Sequence, residues 1–383
     1  MNLVQAERHR RKVLGRIART AQMPRTSETA ALLNRERTGY ARSSAVKFAT
    51  IMRLRGFRQR RDHQAVFRMA RNIDVLGPCP DSVPWWPQPK RTGGNRDITR
   101  PPLHVRLGQR IARDLVVAQF TPSDTAFDWA DRGAHRYVNR LVEAIRTHGP
   151  FVMLMDINSC YPSIDIDAVY RLDLIPPELV RSVIDHRHLS FHRVQNPDDE
   201  ASALIVPIVC MANSTGPIGL LQGGSASSAL LAALLHGATE CVAPSIVICL
   251  GYADNFTLIG HAEEAVVEAA RELARYVTES HTGRLNFRQE LHDAREGFEH
   301  FGYRFEQQED GITVTLPDAK LYRVFVRLEN LIDAGSANGP GDLEGLVRLV
   351  LGPFPCLTRQ DREAVWEHGE LHWFSHNRDN ALV

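Results

Sequence analysis

Cysteine is scarce in this chain of 383 residues: six, at 79, 160, 210, 241, 249 and 356, with no CxxC pair. That spacing argues against a disulfide framework and a zinc ribbon, and points to a reducing, cytoplasmic setting. No apolar run approaches the ~18 residues of a membrane span, so no membrane association is expected. The N-terminal stretch MNLVQAERHRRKVLGR lacks an apolar core and a cleavage site, and does not read as a secretory signal. Lysine is nearly missing, at 12, 47, 90 and 320 only, leaving arginine to supply 42 of the 46 cations. Repeats and low-complexity tracts are absent. With 43% hydrophobic and 24% charged residues the composition excludes wholesale disorder, and the length suits two or three domains.

The near-neutral total of +1 conceals a polarised chain. Residues 1–75 hold 18 Lys and Arg against 5 Asp and Glu, whereas the remainder holds 28 against 40. A basic segment on an acidic body suits a polyanionic partner, because Lys and Arg displace counterions from phosphates. The alternative is a set of arginines that pair with the acids of the body and brace the fold. Arg53, Arg55, Arg58, Arg60 and Arg61 are the densest cluster and the expected contacts of such a partner.

Residues 1–75 read as basic helices, for example Ala45–Arg61 and Gln64–Ile73. Prolines between 78 and 89 deny that stretch a regular helix. A helical pattern follows over Val105–Ala118, then a short buried strand, Phe151–Ile157, that ends in an acid. Ser225–Glu240 is a small-residue helix. Ser245–Gly260 is a hairpin with Asp254 at its tip. Ala262–Ser280 is an amphipathic helix with Val266, Ala269, Leu273 and Val277 on one face. The order implies an α+β fold, helices packed on an antiparallel sheet.

Two acids, Asp156 and Asp254, thus end central strands. A lone strand-end Asp is commonly a turn former or cap; a pair offers hard oxygen ligands for Mg²⁺ beside a phosphate. The surrounding residues favour the second role. Asp156-Ile157-Asn158-Ser159-Cys160-Tyr161 resembles motif A of reverse transcriptases, Gln222-Gly223-Gly224-Ser225 their motif B, and Tyr252-Ala253-Asp254-Asn255 their motif C. Lys90, Gly93, Arg96, Ile98 and Pro101 match the spacing of the fingers segment of bacterial members. Phe127, Arg132 and Gly133 correspond to a further segment, and Leu285-Asn286 and Phe301-Gly302-Tyr303 resemble motifs D and E. The resemblance runs over roughly residues 88–306, with the motifs in family order.

That resemblance implies a right-hand polymerase: fingers and an antiparallel-sheet palm over 76–315, a helical thumb over 316–383, and 1–75 as a basic helical extension. It implies Asp156 and Asp254 as catalytic ligands of Mg²⁺ (or Mn²⁺), with the Ile157 carbonyl as a third ligand. It implies Tyr161 as the wall that excludes a 2′-hydroxyl, Arg96 and Lys90 as the triphosphate clamp, and Gln222, Gly223 and Asn255 as substrate contacts. The partners implied are an RNA template, a structured non-coding RNA, a DNA product and dNTPs, with Arg53, Arg55, Arg58, Arg60 and Arg61 as the RNA-binding residues and oligomeric state left open. The chain ends soon after the thumb, without the segments of nuclease-bearing or retron enzymes, so a free-standing enzyme of phage defence is expected. Three departures stand out. Ser228 replaces the proline of motif B, Asn255 replaces the second Asp of motif C, and the motif D lysine has no counterpart near Arg288 or His292. They keep two alternatives open, an RNA-binding scaffold with a degenerate site and a template-independent or protein-primed polymerase. His368, His372 and His376 recur every four residues; a solvated or RNA-facing stripe is expected there rather than a metal site.

Overall fold

A computed structural model describes residues 2–54, 56–60, 62–90, 93–127, 133–194, 216–243, 245–334, 340–357 and 359–380. In chain order the elements begin with α1 (Leu3–Ala21), α2 (Ser27–Arg42), α3 (Ser44–Arg53), α4 (His63–Asn72), β1 (Val83–Pro89), β2 (Asn95–Thr99) and α5 (Leu103–Gln119). They continue with α6 (Gly133–His148), β3 (Phe151–Ile157), α7 (Cys160–Ser163), α8 (Ile166–Arg171), α9 (Pro177–Val183), β4 (Phe191–Arg193) and α10 (Ser227–Leu234). After these come β5 (Val247–Tyr252), β6 (Asn255–Gly260), α11 (Glu263–Glu279), β7 (Phe287–Asp293), β8 (Phe298–His300), β9 (Tyr303–Gln308) and β10 (Gly311–Thr315). The helices α12 (Asp318–Asp333), α13 (Pro340–Leu351) and α14 (Arg359–Asn380) complete the order.

The chain divides into two compact units, each assembled from three stretches. Unit 1 is 1–124, 157–238 and 274–287; unit 2 is 125–156, 239–273 and 288–383.

Unit 1 is mostly helical. A reciprocal cap opens α1, Gln5 N donating to Asn2 Oδ1 (2.8 Å) and Asn2 N to Gln5 Oε1 (3.3 Å). Leu107, Ile111 and Leu115 recur every four residues along α5 and are fully buried, with Ile17, Phe48 and Ile51 of the first 75 residues buried as completely. Those 75 residues are therefore core rather than a tethered arm. A buried polar clasp adds to this: Arg10 donates twice to Asp114 on α5 (3.0 and 2.8 Å), and Tyr40 Oη donates to the same carboxylate (2.8 Å). Helix α3 stops at Arg53, short of the expected Arg61, in a turn that includes left-handed Gly56. In the three-stranded sheet β2-β1-β4, β4 reaches only Val83–Trp85. Pro87 and Pro89 thus stand where β1 is an edge, the place a strand tolerates proline.

Unit 2 holds the sheet β5-β6-β3-β7. The expected strand at Phe151–Ile157 and the hairpin are both present, the hairpin as β5 and β6. On α11 the expected inward residues Val266, Ala269 and Leu273 are buried, as is Val277, which belongs to the stretch of α11 assigned to unit 1. One apolar cluster joins α6 (Tyr137, Leu141), β3 (Val152), β5 (Leu250), β9 (Phe305) and α12 to α14 (Leu328, Val350, Val365). Burial of each such side chain is worth ~1.5–3 kcal/mol. His368 and His372 seal α14 to α12 instead of facing solvent or RNA. Their Nε2 atoms lie 2.8 Å from Glu329 and Asp333, and the His368 ring stacks on Phe325 at 4.2 Å. The side chain of His376 lies outside the described residues.

Candidate active site

The strand register decides what the acids can do. β3 and β6 run antiparallel with Asp156 opposite Asn255, and β5 and β6 pair Tyr252 with the same Asn255. Directly opposed residues share a face of a sheet, so Tyr252, Asn255 and Asp156 form one row. Asp254 sits one residue before that row in the two-residue hairpin turn. Asp156 is exposed and Asp254 half-buried. Asn255 Nδ2 donates to Asp254 Oδ1 at 3.2 Å. An aspartate at 255 would place a second negative charge there; asparagine converts that repulsion into a hydrogen bond. Left-handed backbone marks both acids: Ala253 (φ 56°) immediately precedes Asp254, and Ser159 (φ 48°) follows Asp156 by three residues. Non-glycine residues hold such conformations at a cost, and commonly at functional sites.

Asp156 and Asn255 open on a cleft of about 400 Å³ that Arg288 and Glu290 of β7 and His300, Phe301 and Gly302 of the β8–β9 turn also line. Behind it lies an aromatic network that the sequence did not reveal. The Tyr137 ring lies 5.8 Å from Tyr252 and 4.8 Å from Phe301, and Tyr252 is 4.8 Å from Phe301. Tyr137 Oη lies within hydrogen-bond reach of Thr257 Oγ1 (2.5 Å) and His300 Nε2 (3.0 Å). Burial pushes the His300 imidazole down to about 4, with His292 adding to the shift, so the ring is neutral at physiological pH. The β8–β9 turn is thus fixed to β6 through Tyr137. The only local signal was aromatic density, which also marks ordinary core.

Unit 1 gathers the other motif residues. The Tyr161 carbonyl accepts from Leu220 N (2.9 Å), and a Cβ on Gly219 (φ 66°) would lie 2.2 Å from that oxygen, so glycine is required there. Tyr161 itself is half-buried. Three residues beyond Gly219, the Gln222 carbonyl accepts from Thr99 N (3.4 Å) and Thr99 Oγ1 (3.1 Å), which ties the Gln222-Gly223 segment to the end of β2. Gly223 is left-handed (φ 88°) and exposed. Gln222 Oε1 is buried without a hydrogen-bond partner among the described residues. Arg96 is exposed on β2, opposite Gln88, and Lys90 closes the same hairpin through its N–H to the Gly94 carbonyl (3.0 Å). Motifs A and D also meet, Asn158 N donating to the Asn286 carbonyl (2.8 Å). Ile157 is buried.

No protein-family model matches the chain, and no curated protein sequence does. Among solved structures it is similar to the Sicinivirus 3Dpol RNA-dependent RNA polymerase, at 11% identity and a TM-score of 0.41, over 79% of this chain and 69% of that one. It is also similar to telomerase from Candida albicans in complex with a fragment of telomeric RNA, at 13% identity and a TM-score of 0.40. That match spans 76% of this chain and 56% of the telomerase chain. The functional reading therefore stands on the chain's own residues.

The arginines of residues 1–75 serve two ends. Arg10, Arg16 and Arg37 bind Asp114, Glu36 and Asp173 and brace unit 1. Arg53 has Glu7 at a loose 3.9 Å. Arg58 donates to the Arg53 carbonyl, and Arg60 lies over the Phe57 ring at 4.8 Å. Neither Arg58 nor Arg60 pairs with a carboxylate among the described residues, and all three are exposed. Arg55, Arg61 and Arg132 lie outside the described residues.

Among the described residues no helix is long and apolar enough to cross a membrane.

Proposed function

We propose that the chain is a reverse transcriptase, adding dNTPs to a 3′-hydroxyl on an RNA template. The observation that carries this reading is the register that sets Asp156 opposite Asn255 with Asp254 beside it, within motifs A and C. Fingers over the β1–β2 hairpin, a palm around β3, β5 and β6, and a thumb of α12–α14 belong to the same proposal.

Among the described residues no third Asp, Glu, His or Cys joins the two acids in a metal-holding group. That donor set still suits Mg²⁺ or Mn²⁺, since Mg²⁺ commonly takes one or two carboxylates and completes its shell with water and substrate phosphates. Asp156, Asp254 and the Ile157 carbonyl would hold the ions. When bound, they would supply charge neutralisation at the attacking and leaving oxygens. The carboxylates provide the compensating negative charge, and the strained turn at Ala253 fixes where Asp254 presents it. Asn255 adds a dipole in place of a charge. In unit 1, Tyr161 would wall off a 2′-hydroxyl, while Arg96 and Lys90 would grip phosphate oxygens. Catalysis of this kind is mostly positioning and electrostatics.

A structured non-coding RNA partner and a role in phage defence complete the proposal on the strength of the resemblance. The hydrogen bond from Asn255 to Asp254 favours a second reading, an RNA-binding scaffold whose carboxylate is partly occupied. One experiment separates them: purified full-length protein with Mg²⁺ or Mn²⁺, RNA and DNA templates, and dNTPs or rNTPs. dNTP-dependent DNA synthesis on RNA is the expected result. Products formed without a template, or attached to the protein, would indicate template-independent or protein-primed synthesis. Inertness under every condition, with RNA binding retained, would replace the enzyme by the scaffold.

A further inference from the structure

The β8–β9 turn that lines the unit 2 cleft is built against the preferences of its residues. His300 pairs with Tyr303, so Phe301 and Gly302 form a two-residue hairpin turn, and both are left-handed (φ 51° and 76°). Such turns favour Asn-Gly, and a bulky side chain at positive φ is an outlier. Aromatic contacts hold the Phe301 ring, which lies 4.8 Å from both Tyr137 and Tyr252 and 4.6 Å from His300. The Gly302 carbonyl is held by a different element. It accepts from Lys320 Nζ, in the first turn of α12, at 2.9 Å. The same ammonium lies 4.5 Å from the Phe354 ring and 5.8 Å from the Tyr303 ring, within cation–π range. It also fills the space a side chain would take at 302, since a Cβ on Gly302 would collide with Nζ. Lysine is rare here, four residues against 42 arginines. A compact ammonium suits that space better than a planar guanidinium fork.

We propose that Lys320 is a positioning residue for this cleft. Anchored on the Gly302 carbonyl, it holds the β8–β9 turn so that Phe301 packs against Tyr252, in the row that carries Asn255 and Asp156. Phe301 and Gly302 line the cleft together with Asp156 and Asn255, whereas Lys320 is not among the lining residues. It therefore acts through the turn and not on a substrate. Without the anchor the strained turn is free to relax, which alters the wall of the cleft and leaves the carboxylates on their strands. The turn is held this way whatever reaction runs in the cleft; only the kinetic arm of the test rests on the polymerase reading.

The test uses the full chain with Lys320→Met, which keeps the stem and removes the ammonium, and Lys320→Arg, which keeps the charge. Lys320→Arg carries the test alone if Lys320→Met does not fold. The probe of the turn is the neighbouring His300 ring, held down at about 4 chiefly by burial. Its NMR titration is identified by its disappearance in His300→Gln. Once the turn is released the ring gains water, and its proton affinity should rise about tenfold or more in both variants. In primer extension both should lower kcat about tenfold, with KM for dNTP within about twofold, the pattern of lost positioning. An unchanged His300 titration would overturn the proposal, and that result needs no activity. Wild-type titration and kcat in Lys320→Arg, with both altered in Lys320→Met, would overturn it too, by making charge and not fit the cause. A shifted titration with unaltered kcat would reduce Lys320 to a structural anchor. A shifted titration in a chain whose wild type extends no primer would sink the polymerase reading and leave the hold on the turn standing.

Discussion

Unit 1 carries 31 Lys and Arg against 18 Asp and Glu, and unit 2 carries 15 against 27, net charges of +13 and −12. Each sign matches the chemistry of the unit's own cleft. In unit 1, Arg100, Arg106 and Arg110 line one cleft, and Arg53, Arg58 and Arg60 stand exposed. In unit 2 two carboxylates stand at strand ends, Asp156 on interior strand β3 and Asp254 in the β5–β6 turn, where the proposal puts a divalent cation. The split does not follow the linear order, because the chain enters and leaves each unit several times. On the proposed reading the two carboxylates belong to unit 2 and the phosphate-contacting arginines to unit 1, so loss of charge neutralisation and loss of polyanion binding should be separable.

The largest expected effect breaks that separation at its chemical end. Asp156→Ala or Asp254→Ala should lower primer extension by at least ~100-fold, the scale of a missing electrostatic catalytic group. Asp156 is exposed and Asp254 half-buried, so melting temperature should barely change. RNA affinity, which the proposal assigns to unit 1, should also hold. Normal extension by both variants would remove the motif assignment; RNA affinity falling in step with extension would remove the division of labour.

The second effect belongs to unit 2 alone and is read as stability. His300 titrates at about 4 when folded, below the ~6.5 of an exposed imidazole. The unfolded chain therefore takes up a proton before the native state does. Stability is complete above pH ~6.5 and falls as pH drops towards about 4, by up to ~3 kcal/mol. His300→Gln removes the titrating group, and its melting temperature should depend less on pH across that window. Parallel curves for wild type and variant would show that the ring is not the sensor.

Much of unit 2 was legible because its signals are local. The Phe151–Ile157 strand, the hairpin and the inward face of α11 are apolar runs and periods that single segments declare. Asp156 and Asp254 stood out by motif, and the facing of Asp156 and Asn255 needed only β3 and β6 to be neighbours. Unit 1 hid more. Nothing near Arg10 announces Asp114, 104 residues away, so the first 75 residues read as an extension when they supply core. The shorter α3 and α10 have a common cause, turns with left-handed Gly56 and Gly237 following them. Arg100, Arg106 and Arg110 did not stand out in a chain where arginine is the ordinary cation, and only folding gathers them with Ser225.

The exposed arginines sharpen the comparison from the side of unit 1. Deleting residues 1–75 would strip Phe48 and Ile51 from the core, so substitution is the cleaner probe. Arg53→Gln, Arg58→Gln and Arg60→Gln combined should reduce the log–log salt slope of RNA binding by ~0.7–0.9 for each phosphate that is no longer neutralised. Catalytic turnover on saturating template should stay within about twofold, because cations on the phosphate backbone chiefly set affinity. An unchanged slope would leave these arginines as solvated surface.

Tyr161 tests the unit 1 side of substrate choice. Tyr161→Ala should raise rNTP use relative to dNTP use by on the order of tenfold, the yield of one steric clash. The ratio of the two kcat/KM values is the measurement, and a constant ratio would make Tyr161 a packing residue.

The smallest effect addresses whether strain at the hairpin tip has a use. Ala253 holds φ 56°, a left-handed conformation that costs a non-glycine residue roughly 1–2 kcal/mol. Ala253→Gly relieves that strain but gives the unfolded chain extra freedom worth about 0.4–1 kcal/mol. The two partly offset, so the variant should be more stable by no more than ~1.5 kcal/mol. Extension should nevertheless slow by a few-fold, because the carboxylate of Asp254 is then presented from a turn with more accessible conformations. Higher stability with slower extension would show that the strain serves positioning. Higher stability at an unchanged rate would show that the register of β5 and β6 alone holds Asp254 in place.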